Sequence, residues 1–407
     1  MTTRQASLQS TAWLPGLNFF LADVRDGLGP FLGVFLMGRG WQADDIGYVM
    51  TIGGIAGMLA TTPLGALIDA SRSKRLLLAL GAVFVIVGTL VLFISSTFVV
   101  TAASQIDTGI VGAIIGPALA GVTLGLVGQE RLAHQLGINE AWNHAGNMVS
   151  AALAGLLGYY WGLPAVFILM ALMAAGSLVC ISKIRPQDID HDVACGLEPG
   201  GNTAFDSSAL KVLARSAPLL LLAITMMLFH LGNAAMLPLL GQAIVSQGLA
   251  DPSAFTAMTI IIAQLVMIPV ALLAGRSAVR YGYWVLVMAA IMVLPVRGLI
   301  AGYWNSPWAL IPVQFLDGIG AGILGVALPG LVAQLLRGSG HINIGLGAVT
   351  TIQGLGAALS PALAGAIAHR YSYSMAFIVL SAISSIALFV WFFARELFAN
   401  HESINLR

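Results

Sequence analysis

Asn18-Phe19-Phe20-Leu21-Ala22-Asp23-Val24-Arg25-Asp26-Gly27-Leu28-Gly29-Pro30-Phe31-Leu32 places three charges inside the first long hydrophobic segment, residues 12–38. About 20 apolar residues suffice to cross a bilayer, so the segment reads as a membrane span. A charge at the centre of such a helix costs about 2.5–3.5 kcal/mol, and three cost roughly 8–10 kcal/mol if unpaired and additive. Residues this expensive are either compensated by a partner or water, or kept for function. Asp23 and Asp26 share a helix face, whereas Arg25 lies roughly 200° around from Asp23 and 100° from Asp26. Pro30 has no N–H to give to the Asp26 carbonyl, and Gly27 and Gly29 flank that turn. The helix is therefore expected to break beside the acidic pair. A pair of carboxylates that can take up and release a proton is what a proton-coupled carrier needs; a static salt-bridge network is the competing reading.

The rest of the chain has the same character. Its 407 residues are 58% hydrophobic and 9% charged, with a mean hydropathy of +0.91. Soluble domains carry about 25% charged residues, so an aqueous globule is excluded. The 47 glycines suit closely packed membrane helices. Cys180 and Cys195 make no disulfide framework and stand in no metal-ligand cluster, so no metal is expected. No nucleic-acid partner is expected, although the net charge of +1 does not itself bear on this, because the distribution of charge matters more than the total. Arg4 is the one basic residue before the first span, and no small-residue cleavage site follows a short apolar core. That span reads as retained rather than as a signal peptide.

Twelve spans can be marked: 12–38, 45–68, 76–95, 98–127, 138–160 and 163–183, then 216–246, 254–275, 283–303, 308–336, 343–368 and 373–394. The expected fold is an all-α membrane protein with twelve transmembrane helices in two pseudo-symmetric six-helix bundles. Residues 1–183 form the first bundle, 184–212 a cytoplasmic linker with no fold of its own, and 213–407 the second. With both termini cytoplasmic, fourteen Lys and Arg fall in inside loops and only Arg39 and Arg370 in outside loops. This positive-inside asymmetry sets the orientation in a bacterial inner membrane.

The halves repeat at an offset of about 210 residues. Gln105-Ile106-Asp107-Thr108-Gly109 corresponds to Gln314-Phe315-Leu316-Asp317-Gly318. Gly146, Ser150 and Leu153-Ala154-Gly155 correspond to Gly356, Ser360 and Leu363-Ala364-Gly365, while Phe19 and Asp23 fall on Phe229 and Asn233. Parallel halves with a substrate site between them are a transporter architecture.

Two sets of six spans, a polar central loop and a charged loop after span two resemble the major facilitator superfamily. The family's loop signature, Gly-x-x-x-Asp-Arg/Lys-x-Gly-Arg/Lys-Arg/Lys, stands here as Gly65-Ala66-Leu67-Ile68-Asp69-Ala70-Ser71-Arg72-Ser73-Lys74. Gly65, Asp69 and Lys74 match; Ala70, Arg72 and Ser73 depart. The resemblance implies that Asp69 helps latch the halves on the cytoplasmic side, with Gly65, Arg72 and Lys74 in the same gate. It also implies that spans one, four, seven and ten line a central cavity. The family's antiporters carry a Gly-Pro signature in span five, which is missing from Ser150-Ala151-Ala152-Leu153-Ala154-Gly155.

The remaining polar residues follow from this frame. Asp107 is the proposed partner of Arg25, and Asp317 is the corresponding acid of span ten. Glu140, Asn143, His144, Asn147 and Ser150 make one polar stripe along span five, either a water-lined wall or a hydrogen-bond seam. His230 and Asn233 share a face of span seven. Asn233 is neutral where Asp23 is acidic, which concentrates coupling in the first half. Asp44 or Asp45 reads as the N-cap of span two. Arg297 in span nine is expected to snorkel or to pair with Asp317, and Gln353 in span eleven reads as structural.

The expected function is secondary active transport of a small organic molecule by alternating access, driven by the proton gradient with no cofactor. Export by antiport is preferred, with Asp23, Asp26, Arg25 and Asp107 as coupling residues. The substrate cavity would hold Asp23, Asp26, Asp107, Glu140, Asn143, His144, His230, Asn233 and Asp317. Its acids outnumber its bases, which favours a cationic or amphipathic substrate. Import of a metabolite or siderophore-like compound is the alternative, and a membrane sensor or enzyme the remote one. No nucleophile–base pair stands at depth, so the chain is not expected to be an enzyme. Beyond substrate and lipid bilayer no partner is expected, and the protein should be a monomer.

Overall fold

The computed structural model describes residues 8–25, 28–194, 216–336 and 342–398, which are almost wholly helical and include no strand. Among them, nine helices are long and apolar enough to cross a membrane. The other three expected spans are helical as well. Span one is split into Leu14–Arg25 and Phe31–Gly38, span two is Ala43–Ala70, and span five occupies residues 129–161. The protein is thus an all-α membrane protein, and the described residues are helical in each of the twelve expected spans. The predicted break in span one is present: a turn at residues 28–30 stands between the described helices Leu14–Arg25 and Phe31–Gly38.

Several boundaries differ from the sequence reading. Asp44 and Asp45 do not cap span two, because its helix already begins at Ala43 and puts both acids in the first turn. Asp44 Oδ1 instead accepts from the Asp45 N–H at 3.0 Å and lies 3.5 Å from His369 Nδ1. The same helix runs on through Ala70, so Gly65 and Asp69 stand on its last turns and the connection shrinks to Ser71–Ser73. Spans four and five are separated by a single residue rather than a loop, Gly128 at φ 71°, ψ 170°. Gly282, at φ 77°, does the same between spans eight and nine. A Cβ disfavours such backbone angles, so glycine lets two long helices change direction without intervening loop residues.

Side chains and prolines start the helices where the sequence supplies them. Asp251 Oδ1 accepts from the N–H groups of Ser253 at 3.0 Å and Ala254 at 2.8 Å, with Pro252 opening span eight. Ser372 accepts from Met375 N–H at 3.1 Å ahead of span twelve. These oxygens satisfy donors that have no partner within the helix.

The chain divides into two compact units, one of Met1–Leu32 and Ile52–Ala204, the other of Gly33–Thr51 and Phe205–Arg407. In the first, span four meets span two through Gly109, where a Cβ would collide with the Gly53 carbonyl oxygen. Span five meets span one through Gly146, against the carbonyl oxygen of Phe19. In the second, Gly318 presses on the Ala263 carbonyl and Gly356 on that of Met227. Gly109 with Gly318, and Gly146 with Gly356, are the repeat pairs read from sequence. The internal repeat is therefore a repeat of helix contacts, with small residues letting backbones touch.

The second unit also contains the hairpin Gly33–Thr51. Thr51 Oγ1 accepts from the Ala362 N–H at 3.0 Å, and Gly47 lies against the Pro361 carbonyl. Buried Phe229, Leu294, Val313, Phe377 and Trp391 belong to this unit's core. In the first unit, the beginning of the supposed linker is folded. Asp190 N–H donates to the Gly125 carbonyl at 2.9 Å, Ser10 Oγ donates to Asp188 Oδ2 at 2.5 Å, and Ile189 and Ala194 are buried. A polar composition hid the two apolar residues that anchor residues 184–194.

Candidate functional site

The site is built around a second helix break. Span seven ends its first helix at Asn233, turns at Ala234 and Ala235, and resumes at Met236. Pro238 cannot donate to the Ala234 carbonyl, the same device that Pro30 supplies in span one. Ser360 Oγ accepts from the Ala235 N–H at 3.0 Å and holds the broken end. His230 and Asn233 occupy the last helical turn before the break.

Arg297 reaches this turn from span nine. Its Nη1 donates to Asn233 Oδ1 at 2.5 Å and lies 2.7 Å from Asp317 Oδ1 on span ten. Arg297 is 1% exposed, so it pairs and does not snorkel. A buried guanidinium is tolerated only with its charge compensated, and Asp317 does this. The Asp317 side chain is itself 18% exposed and turns its remaining surface to a cavity of about 370 Å³. That volume lies at the small end of ligand sites, about 300–1,000 Å³. His230, Asn233, Arg297, Asp317, Thr350 and Gln353 make its polar wall; Phe229, Val293, Leu294, Leu324 and Leu328 are among its apolar lining. His230 Nδ1 is 3.0 Å from the Met226 carbonyl. A carbonyl can only accept, so Nδ1 carries the hydrogen and Nε2 of the neutral ring is left as an acceptor.

The first unit has a smaller cavity, about 100 Å³, lined by Asn18, Thr123, Asn139, Glu140 and Asn143 among others. Asn139 donates to Thr123 Oγ1 at 3.1 Å and accepts from Gln135 Nε2 at 2.9 Å. The two cavities occupy repeat-equivalent places. Leu136, Glu140 and Asn143 line one; Leu346, Thr350 and Gln353, each 210 positions later, line the other. Ile115, Gly116 and Leu119 correspond at an offset of 209 to Leu324, Gly325 and Leu328.

The predicted site residues thus separate into groups. His230, Asn233 and Asp317 come together on the larger cavity, and Glu140 and Asn143 on the smaller. Asp107 lies against Gly88 of span three, its Oδ2 buried without a hydrogen-bond partner among the described residues. His144 is half-buried on span five. The side chains of Asp23, Arg25 and Asp69, the surroundings of Gly65 and the whole of Asp26 lie outside what the structure describes. Of the expected gate, Arg72 is exposed, but Lys74 is 1% exposed, folds over Gly121 and donates to the Ser71 carbonyl at 3.0 Å.

Two residues that the sequence reading set aside belong to the larger cavity. Arg297 is expected from sequence only to snorkel or to pair with Asp317, although an arginine at membrane depth is itself a functional signal. Gln353 was read as structural, although it repeats Asn143. Gln314 remains unaccounted for: it is fully buried, with neither amide atom partnered among the described residues. An unsatisfied buried amide costs about 1–3 kcal/mol. Gln314→Met is therefore expected to leave thermal stability in detergent unchanged or raised by up to that amount. A loss of similar size would reveal a partner for the amide.

A family model for the Major Facilitator Superfamily matches residues 16–342 and 222–405. The chain belongs to the Major Facilitator Superfamily. Two uncharacterized MFS-type transporters of Mycobacterium tuberculosis, from strains CDC 1551 and H37Rv, are each 40% identical over 380 residues, covering 93% of this chain and 91% of theirs. Among solved structures, a mutant of the nucleoside transporter NupG is similar with TM-score 0.77 at 14% identity, covering 94% of this chain and 99% of that one. A second NupG structure gives 0.72 at 15%, covering 96% and 98%. At such identity the likeness is one of fold. The superfamily assignment makes this chain a multi-pass membrane transporter of the secondary type.

Proposed function

We propose that the protein moves a small organic molecule across the bacterial inner membrane by proton-coupled alternating access, as a monomer with both termini cytoplasmic. The observation that supports a transported solute is the cavity at the break of span seven, where Asn233, Arg297 and Asp317 converge on a space with largely apolar walls. Half-helix ends at membrane depth are where such carriers bind solute and coupling ion. Asp23 and Asp26, beside the break in span one, are the proposed proton carriers, with Arg25 and Asp107 acting on them. Gly65, Asp69, Arg72 and Lys74 form the proposed cytoplasmic gate, Lys74 by anchoring span three.

Export remains the preferred direction. Import of a metabolite is the second reading. It is favoured by the absence of Gly-Pro from span five, and the nucleoside transporter among the structural neighbours names one solute class for it.

Reconstitution in liposomes tests the coupling. Solute addition is expected to drive a pH change with wild-type protein, and Asp23→Asn or Asp26→Asn to reduce that flux at least tenfold. Undiminished proton flux with intact solute transport in both variants would remove the acidic pair from the mechanism.

A further inference from the structure

We propose that the larger cavity selects an uncharged ring compound bearing both a hydrogen-bond donor and an acceptor. This narrows the substrate of the transport reading above and rests on it for the cavity's role.

The first argument is charge. Asp317 and Arg297 are the two formally charged residues on the cavity wall, and they neutralise each other at 2.7 Å. The acidic surplus that pointed to a cationic substrate is therefore absent from this unit's cavity. A cation could use Asp317 only by drawing it from Arg297, which would leave a guanidinium with 1% exposure uncompensated. An anion would meet the Asp317 carboxylate, while Arg297 Nε and Nη2 are buried away from the cavity. Both charged classes are disfavoured by the same pair.

The second argument is the hydrogen-bonding pattern. Asn233 gives its Oδ1 to Arg297, so its amide N–H groups are the donors left for a ligand. Asp317 and His230 line the same cavity; the carboxylate accepts, and His230, whose Nδ1 is turned to the Met226 carbonyl, offers Nε2 as an acceptor when its ring is neutral. Gln353 also lines the cavity, although its Oε1, like Arg297 Nε and Nη2, is buried without a partner among the described residues, which leaves its amide N–H groups as the donors it can offer. A solute that both donates and accepts along one edge satisfies this wall. Phe229, Leu294 and Leu328 in the same lining supply apolar surface that suits the faces of a ring.

The test measures binding to purified full-length protein in nanodiscs by thermal shift and equilibrium dialysis. The probes are uridine, thymine and resorcinol as neutral donor–acceptor rings, tetraphenylphosphonium as cation and salicylate as anion. Wild type is expected to bind at least one neutral ring at least tenfold more tightly than either ion. Arg297→Gln exposes the Asp317 charge and is expected to gain at least tenfold in tetraphenylphosphonium affinity. The double variant Arg297→Gln/Asp317→Asn restores neutrality. It is expected to lose that gain, and it serves the test should the single variant not fold. Wild type that prefers tetraphenylphosphonium or salicylate, or binds none of the neutral rings, overturns the inference and leaves the transport reading standing. Neutral-ring binding without flux into liposomes would count against transport and leave the inference intact.

Discussion

Asp317→Leu is expected to destabilise the protein by about 3–5 kcal/mol, and the double variant Arg297→Met/Asp317→Leu to recover most of that loss. The asymmetry follows from burial. Removing the acid alone strands a guanidinium that is 1% exposed, with Nε and Nη2 already lacking partners among the described residues. Replacing both members removes the charge together with its counter-charge, and an apolar pair of similar volume packs without desolvation. Thermal unfolding of the two singles and the double in one detergent closes a double-mutant cycle. Additive losses, with no recovery in the double, would show that Arg297 and Asp317 are not coupled in the folded protein. Asn233 makes a second readout available, because it shares Arg297 Nη1 with Asp317.

Gly356→Leu is expected to destabilise by about 1–3 kcal/mol or more, the range for forcing extra atoms into a filled contact. A Cβ at Gly356 would collide with the Met227 carbonyl oxygen and lie 3.1 Å from Leu231 N, both on span seven. Backbone atoms cannot turn aside as a side chain can, so span eleven must move off span seven. That displacement would also shift Ser360 from the Ala235 N–H and Gln353 from the cavity wall. Gly354, two residues earlier, has no neighbouring atom within 4 Å of an added Cβ. Gly354→Ala is expected to be neutral, or stabilising by up to about 1 kcal/mol through helix propensity. Comparison of the two thermal midpoints checks the claim. Equal midpoints would mean that spans seven and eleven do not meet at Gly356.

The cavity-lining elements were only partly legible in the sequence, and the reason differs from residue to residue. The break in span one could be read because Pro30 acts locally, on the carbonyl of its own helix. The break in span seven follows the same rule at Pro238, yet the stretch carries no charge to draw attention to it. His230, Asn233 and Asp317 were identified as polar residues at membrane depth, where each is costly. Arg297 carries that signal too, but its role depends on which neighbour its long side chain reaches. That is settled by the packing of spans nine and ten, and one-dimensional spacing does not encode it. Lys74 shows the opposite case. A basic residue in a loop signature reads as a surface charge, but its aliphatic stem lies over Gly121, where the missing side chain leaves room.

Composition, span periodicity and the offset of about 210 residues determined the all-α membrane class, the twelve segments and the repeat between halves. These properties follow from the bilayer's thickness and from the demand that backbone polar groups be satisfied within each helix. Tertiary structure alone decided that Gly33–Thr51 packs with the second unit and that Gly109 and Gly318 mark equivalent helix contacts. It also decided between the two sequence expectations for Arg297, snorkelling and pairing, in favour of cancelling the Asp317 charge. Each of these depends on the distance between groups far apart in the chain. Over a few ångströms in a low-dielectric interior, that distance determines whether a buried charge is a liability or half of a neutral pair.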